Sequence, residues 1–246
     1  GIDGDTIEQY LADGARPAFL YIIPDAHNPL GVSISPKKRQ RLVELARAYG
    51  LPIIEDDPYG FLNYDAHSER PLRAFDDNWV FYLGSFSKIL APALRLGWMI
   101  APEPLIPKLT VVKEANDLES SALTQRAVAA YLDAGLLPAH LERLRGEYGR
   151  RRDTMLQALY HHFPTEARWT VPSGGMFVWV ELAEGVDTTM MWETAVTEAQ
   201  VAFIPGAAFT IPGHSAPNCL RLNFSNCTPD RIEEGIARLA EVINRG

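Results

Sequence analysis

Residues 18–60, AFLYIIPDAHNPLGVSISPKKRQRLVELARAYGLPIIEDDPYG, contain the pattern that decides the fold. Two largely apolar runs, 18–23 and 51–55, are typical of buried strands. Between them, residues 36–49 have a helical pattern, which begins after Ser35 as an N-cap and ends at Gly50. Strands that are apolar on both faces and separated by a helix predict a sheet covered on both sides, which is the α/β class.

The alternation continues through the rest of the chain. We predict two further strands at residues 79–84 and 96–101, then helices at 123–132 and 139–163, separated by Gly135 and Pro138. Shorter elements follow, namely strands at 175–182, 201–204 and 219–224 and helices at 190–199 and 229–244. The pattern predicts two domains: an α/β domain at residues 1–138, and a linking helix with a smaller α+β domain at residues 139–246.

The composition is that of an ordinary globular protein with an acidic balance. Its 246 residues include 23 Lys and Arg against 31 Asp and Glu, a formal net charge of -8. This charge disfavours nucleic-acid binding by the chain, and no apolar run approaches the roughly 18 residues that a membrane span needs. No leader is visible and the only cysteines are Cys219 and Cys227, so we expect a reducing, cytoplasmic location and no metal site.

Four short segments are candidates for a site, because each lies at or just after the end of a predicted strand. Open α/β sheets bind their ligands at such ends. The segments are NPLG at 28–31, EDDPY at 55–59, GSFSK at 84–88 and CLRLNF at 219–224. Each also has a structural explanation: a plain turn, acids facing a helix N-terminus, a lysine with its head in water, and an arginine paired with an acid.

The residue types in GSFSK and just after it suggest covalent chemistry beside a phosphate. Lys88 lies between a predicted buried strand and the apolar run that starts at Ile89. A desolvated lysine has a lowered pKa and forms Schiff bases with carbonyl groups. Ser85, Ser87 and Arg95 supply hydroxyl and guanidinium groups of the kind that bind phosphate.

The other two charged segments suggest a cationic ring and a carboxylate as ligands. A carboxylate within residues 55–57, at the end of an apolar strand, is suited to stabilise a positively charged ring. Arg221 shares one strand face with Asn223, and its planar guanidinium suits a carboxylate in a bidentate pair.

Taken in order, these motifs resemble those of the fold-type-I pyridoxal-phosphate (PLP) enzymes, most closely the class I/II aminotransferases of the 2-aminoadipate and kynurenine type. The set is NPLG, EDDPY and GSFSK, then RLGW at 95–98, GGMFVWVEL at 174–182 and LRLNFS at 220–225. Each motif is weak alone, but the ordered set is specific and spans essentially the whole chain. The resemblance implies that residues 1–138 are the C-terminal part of the large PLP-binding domain, a mostly parallel sheet with helices on both faces.

The resemblance also implies a role for each residue that would contact the cofactor ring. Lys88 would form the internal aldimine with pyridoxal 5'-phosphate and, once released, move the proton between the substrate Cα and the cofactor. Asp56 would pair with the pyridinium nitrogen and keep it protonated, so that the ring acts as an electron sink. Asn28 and Tyr59 would hydrogen-bond the phenolate oxygen of the ring.

The remaining candidates would bind anions, again by resemblance. Ser85, Ser87 and Arg95 would bind the cofactor phosphate, and Arg221 would hold the α-carboxylate of the substrate. The expected partners are an α-amino acid and a 2-oxo acid, with no nucleic acid and no membrane. The family forms homodimers, so we expect a homodimer.

Other functions use the same residues. Lys88, Asp56 and Arg221 would equally serve a β-eliminating PLP lyase, and aminotransferase-like domains also act as PLP-binding effector domains of GntR-type transcription regulators. The family carries an upstream segment that supplies the rest of the phosphate cup and an aromatic residue stacked on the ring, and this chain shows neither. We therefore expect that Gly1 is not the native start, and a further alternative is a truncated, inactive fragment.

Overall fold

The computed structural model describes residues 2–64 and 69–245. It divides into two compact units. The first unit comprises Gly1–Asp25 and Ser33–Leu144, and the second comprises Ala26–Val32 and Arg145–Gly246. The NPLG segment therefore belongs to the second unit, although the first unit flanks it on both sides in sequence. The domain division after residue 138 stays a prediction.

The first unit contains a four-stranded sheet. Its strands are β1 (Leu20–Ile22), β2 (Ile53–Asp57), β3 (Val80–Ser85) and β4 (Gly97–Ile100), in the order β1-β2-β3-β4. β1, β2 and β3 are parallel, and β4 runs antiparallel to β3. The α/β class is confirmed, and each strand end lies within two residues of the predicted one. β4 was expected to be buried, but Met99 and Ile100 are about half exposed.

The helices of the first unit differ in how clearly the sequence marks them. They are α1 (Gly4–Ala12), α2 (Pro36–Tyr49), α3 (Ile106–Asp117) and α4 (Ala122–Asp133). α2 has the predicted bounds, because Ser35 accepts a hydrogen bond from the Lys38 N–H and Gly50 adopts a left-handed φ of 63°. The sequence analysis did not predict α1 or α3.

Helix α5 (Leu137–His162) contains the boundary between the two units. The sequence predicts a break at Pro138, but Pro138 is the second residue of the helix. A proline is tolerated there because its missing N–H would have no partner within the helix. No helix within residues 2–64 and 69–245 is both long and apolar enough to cross a membrane.

The core of the first unit lies on one face of the sheet. Alternate residues of β2 and β3 are buried, and the others are half-buried. The buried face packs against α2 in one cluster, whose members are Ile22, Leu42, Val43, Ala46, Ile53, Leu72 and Val80. The opposite face carries Tyr21, Ile54 and Asp56. Side chains on this second face are free to contact a ligand, since the core does not use them.

The second unit contains an antiparallel sheet and two helices besides its part of α5. The strands are β5 (Arg168–Trp169), β6 (Phe177–Glu181), β7 (Ile204–Pro205) and β8 (Cys219–Asn223), in the order β5-β6-β8-β7. The helices are α6 (Thr188–Thr197) and α7 (Pro229–Ile243). α7 buries Ile232, Ile236 and Leu239, a spacing that places all three on one helical face. The smaller unit thus has the predicted α+β character.

Candidate active site

Three consecutive acids end strand β2, and strand alternation separates them. Glu55 and Asp57 lie on the buried face and Asp56 lies on the other. The Glu55 carboxylate accepts the backbone N–H of Leu72 at 2.7 Å and that of Arg73 at 2.8 Å. Burial raises the pKa of Glu55 to about 7, although these hydrogen bonds favour the charged form. Glu55 therefore anchors the short 3-10 helix that begins at Leu72.

Asp57 has a similar structural role. One carboxylate oxygen accepts the Tyr82 hydroxyl at 2.8 Å, and the other accepts the Gly60 N–H at 2.7 Å. Burial raises the pKa of Asp57 as well. A Cβ at Gly60 would lie 2.5 Å from this carboxylate, so glycine is required for the turn to close on it. The structure uses both acids on the buried face to fix the turns that follow β2.

Asp56 is the acid that the core does not use. It is half-buried, and its Oδ2 accepts a hydrogen bond from the Tyr21 hydroxyl. Its Oδ1 accepts no hydrogen bond from any residue within 2–64 and 69–245. Partial burial and the adjacent carboxylate raise the pKa of Tyr21 above its ordinary value. The sequence did not identify Tyr21 as a site residue, because its partner lies 35 positions away.

The GSFSK segment forms the turn that leaves β3. The side chain of Ile89 is 1% exposed and anchors this turn, whereas Lys88 is exposed. The ammonium of Lys88 has no hydrogen bond or ion pair within the described ranges. The expectation of a desolvated lysine was therefore wrong for this structure, because the turn directs Ile89 inward and Lys88 outward.

A tight contact explains why GSFSK and RLGW occur together. The Trp98 indole lies across Gly84, where a Cβ would come within 2.1 Å of the ring. The Phe86 N–H donates to the Leu96 carbonyl at 3.1 Å, which continues the pairing of β3 with β4. Only glycine at position 84 allows the two segments this close approach.

The predicted phosphate-binding residues lie on these two paired segments. The Ser85 hydroxyl accepts the Ser87 N–H at 3.1 Å. Arg95 is exposed, has a left-handed φ of 49°, and donates to the Pro92 carbonyl at 3.3 Å. The strand register pairs Ser85 with Gly97, two residues beyond Arg95. The pairing thus brings hydroxyl and guanidinium donors to one end of β3.

Tyr59 follows the three acids and is buried, with 6% of its surface exposed. Its backbone carbonyl accepts the Leu62 N–H at 2.7 Å, which closes the 3-10 helix Gly60–Leu62. Asp56, Tyr59 and the GSFSK turn all lie at or beyond the carboxyl ends of the parallel strands β2 and β3. The first unit therefore gathers six of the eight predicted site residues at one edge of its sheet, namely Asp56, Tyr59, Ser85, Ser87, Lys88 and Arg95.

The other two predicted residues, Asn28 and Arg221, meet in the second unit. The Arg221 guanidinium donates to the Asn28 side-chain oxygen at 2.6 Å. Its central carbon lies 4.2 Å from the centre of the Phe177 ring and 5.1 Å from that of Phe209. These distances are typical of cation–π contacts, which hold a guanidinium close to the aromatic rings. The sequence did not predict this role for either phenylalanine.

The NPLG loop packs tightly against strand β6. Its Asn28–Pro29 peptide bond is cis, and Gly31 has a φ of 67°. A Cβ at Gly31 would lie 2.5 Å from the Phe177 carbonyl oxygen, so only glycine fits. This packing fixes the loop that presents Asn28 to Arg221.

An open α/β sheet with an acid, a lysine and anion-binding donors at one edge is the arrangement of a ligand-binding α/β protein. Residues 1–239 match the family model described as aminotransferase class I and II, and the chain belongs to this family. The resemblance inferred from the motifs is thus confirmed.

Two named aminotransferases that are similar to this chain support the family assignment. The chain is 42% identical to aromatic-amino-acid aminotransferase 1 of Thermococcus litoralis, over 99% of this chain and 59% of that protein. It is 36% identical to the crystal structure of LysN, the alpha-aminoadipate aminotransferase of Thermus thermophilus, complexed with N-(5'-phosphopyridoxyl)-L-leucine. The TM-score is 0.93, with 100% of this chain and 63% of that chain covered.

A relative of another kind is the HTH-type transcriptional regulator YdfD of Bacillus subtilis. It is 34% identical over 95% of this chain and 48% of that protein. The chain thus spans about half to two thirds of the length of the relatives that it matches.

Proposed function

We propose that this chain is the lysine-bearing part of a PLP-dependent aminotransferase that transfers an amino group from an α-amino acid to a 2-oxo acid. The observation that carries the proposal is the edge of the first sheet. There, within residues 2–64 and 69–245, Asp56 keeps one carboxylate oxygen without a hydrogen bond, and the exposed Lys88 follows the end of the next strand. Membership of the aminotransferase family supports the same function.

The donors at this edge fit the chemistry of pyridoxal 5'-phosphate. Asp56 Oδ1 would accept the N–H of the pyridinium nitrogen, and Ser85, Ser87 and Arg95 would donate to the phosphate. When bound, the cofactor supplies an electron sink for the charge left when the substrate Cα loses its proton. Lys88 Nζ would bind the cofactor aldehyde and afterwards carry that proton.

The second unit would supply substrate recognition. Arg221 would bind the α-carboxylate of the amino acid, with its guanidinium held by the aromatic rings beside it. Asn28 and Tyr59 would hydrogen-bond the phenolate oxygen of the cofactor.

A PLP-binding effector domain of a transcription regulator is a second candidate, because of the similarity to YdfD. The aminotransferase is favoured because the identity to the enzymes is higher. A β-eliminating lyase would use the same residues. We also propose a cytoplasmic homodimer: Cys219 and Cys227 are both free, as is usual in reducing compartments, and homodimers are typical of the family.

The test is to add pyridoxal 5'-phosphate, reduce with borohydride and map the modified peptide. We expect the phosphopyridoxyl group on Lys88, and its loss in Lys88→Ala but not in Lys108→Ala, which removes an exposed lysine of α3. Amino transfer to 2-oxoglutarate is then compared with release of pyruvate and ammonia, which a lyase would give without an oxo acid. No adduct on Lys88 would refute the proposal, and an adduct without either reaction would favour the effector domain or the truncated, inactive fragment.

A further inference from the structure

The six carboxylate oxygens of Glu55, Asp56 and Asp57 show which acid is available for chemistry. Both oxygens of Glu55 and both of Asp57 accept hydrogen bonds from the protein. Asp56 Oδ2 accepts the Tyr21 hydroxyl. Over the two described ranges, Asp56 Oδ1 is the one oxygen of this set without a donor. Tyr21 therefore determines which Asp56 oxygen is left to meet a ligand.

Tyr21 reaches Asp56 because of the parallel register of β1 and β2. Tyr21 pairs with Ile54, and Asp56 lies two residues further along β2, on the same face of the sheet. This face is not the one that packs against α2. Tyr21 is 51% exposed, so core packing does not account for a tyrosine at this position.

A carboxylate held at one oxygen cannot turn freely about its last bond. The hydrogen bond from Tyr21 fixes the plane of the Asp56 carboxylate before any ligand arrives. A ligand N–H that then binds Oδ1 meets an acceptor that is already oriented, which lowers the entropic cost of binding.

We propose that Tyr21 is a positioning residue that holds Asp56 for the ring nitrogen of the cofactor. This inference rests on the proposed function, since Asp56 is the residue through which Tyr21 acts. Tyr21 itself would not touch the substrate or the reacting atoms.

The test compares Tyr21→Phe, which removes only the hydroxyl, with Tyr10→Phe, which removes an exposed hydroxyl from α1. Dissociation constants for pyridoxal 5'-phosphate are measured by absorbance titration. We expect Tyr21→Phe to bind about ten- to a hundredfold more weakly, the range for one hydrogen bond to a charged group. Tyr10→Phe should bind as the unaltered protein does.

A second measurement separates positioning from a general loss of structure. With cofactor labelled by ¹⁵N at the ring nitrogen, the NMR shift reports whether that nitrogen carries its proton. We expect Tyr21→Phe to lose this proton at lower pH than the unaltered protein, because Oδ1 is no longer held in place. A variant that was only less stable would unfold at lower temperature but keep the same ¹⁵N profile.

A third measurement requires no cofactor, and it does not require the Tyr21→Phe variant to fold. With ¹³C in the tyrosine rings, the phenol of Tyr21 should titrate above the ordinary range for tyrosine, and Asp56→Asn should lower its pKa. Unchanged titration of Tyr21 in Asp56→Asn would overturn the proposal, as would equal cofactor affinity and ¹⁵N profile in Tyr21→Phe and Tyr10→Phe. Protein that takes up no cofactor on Lys88 would refute the proposed function and the positioning role with it.

Discussion

Glu55 gives the sharpest prediction about stability, because its side chain is fully buried and its carboxylate meets two backbone N–H groups. Its pKa is about 7 in the folded chain against an ordinary 4.5. The folded state therefore holds this proton more tightly than the unfolded state. Stability from Glu55 is fully present below pH 4.5 and is lost as the pH rises through about 7.

The size of the loss follows from the shift in pKa. The rise in the Glu55 pKa from 4.5 to about 7 corresponds to about 3 kcal/mol of unfolding free energy. Glu55→Gln removes the titration and keeps the shape. Its amide oxygen can accept one of the two N–H groups, so the variant loses about one hydrogen bond at every pH, which costs about 1–3 kcal/mol.

The assay is urea denaturation of both proteins from pH 4.5 to pH 8, followed by tryptophan fluorescence. The difference in unfolding free energy between the unaltered protein and Glu55→Gln should change by about 3 kcal/mol over this range, in favour of the variant as pH rises. The charges of Asp57 and Arg39, which act on Glu55, are present in both proteins. Glu103→Gln, at an exposed site in the same unit, should show no such change. Parallel pH curves for the unaltered protein and Glu55→Gln would refute the assignment of a raised pKa.

Two further predictions concern the close contacts around the site. Gly84→Ala should lower the unfolding free energy by about 1–3 kcal/mol, because the new Cβ would meet Trp98 at 2.1 Å. The control Gly146→Ala, in helix α5 with open space around it, should raise the unfolding free energy by about 0.5–1 kcal/mol. Equal urea midpoints for the two variants would contradict the predicted clash at Gly84. Phe209→Leu should raise KM for the amino acid about fivefold with little change in kcat, because Arg221 loses one cation–π contact of about 1 kcal/mol. An unchanged KM in steady-state kinetics would show that the contact with Phe209 does not support Arg221.

The elements that the sequence predicts well are those whose ends have local causes. Helix α2 has its predicted bounds because a serine caps its first turn and a glycine in the left-handed region ends it. Helix α3 begins at Ile106, its N-cap residue Leu105 offers no side-chain hydrogen bond, and none of its residues is buried, so no apolar periodicity marks it. Pro138 misled the sequence analysis for a related reason, since a proline inside the first turn and a proline that ends a helix look alike in one sequence.

The candidate site likewise has features that the sequence predicts and features that it does not. The types of residue at the ends of β2 and β3 could be read from the sequence, but their environments could not. Lys88 has apolar neighbours in sequence and is nevertheless exposed, because the turn buries Ile89 instead. Tyr21 looks like any aromatic residue of a buried strand until the register of β1 with β2 brings its hydroxyl to Asp56.

The three consecutive acids at the end of β2 now have a physical explanation. Burying two carboxylates is costly unless hydrogen bonds meet them, and here four donors do so. Those bonds tie the end of β2 to the turns at Gly60 and Leu72, so the backbone that carries Asp56 is fixed on both sides. Because side chains alternate along a strand, a rigid Asp56 facing a ligand requires neighbours that face the core. Replacing Glu55 should therefore disturb cofactor binding as well as stability, although its side chain lies on the opposite face of the sheet.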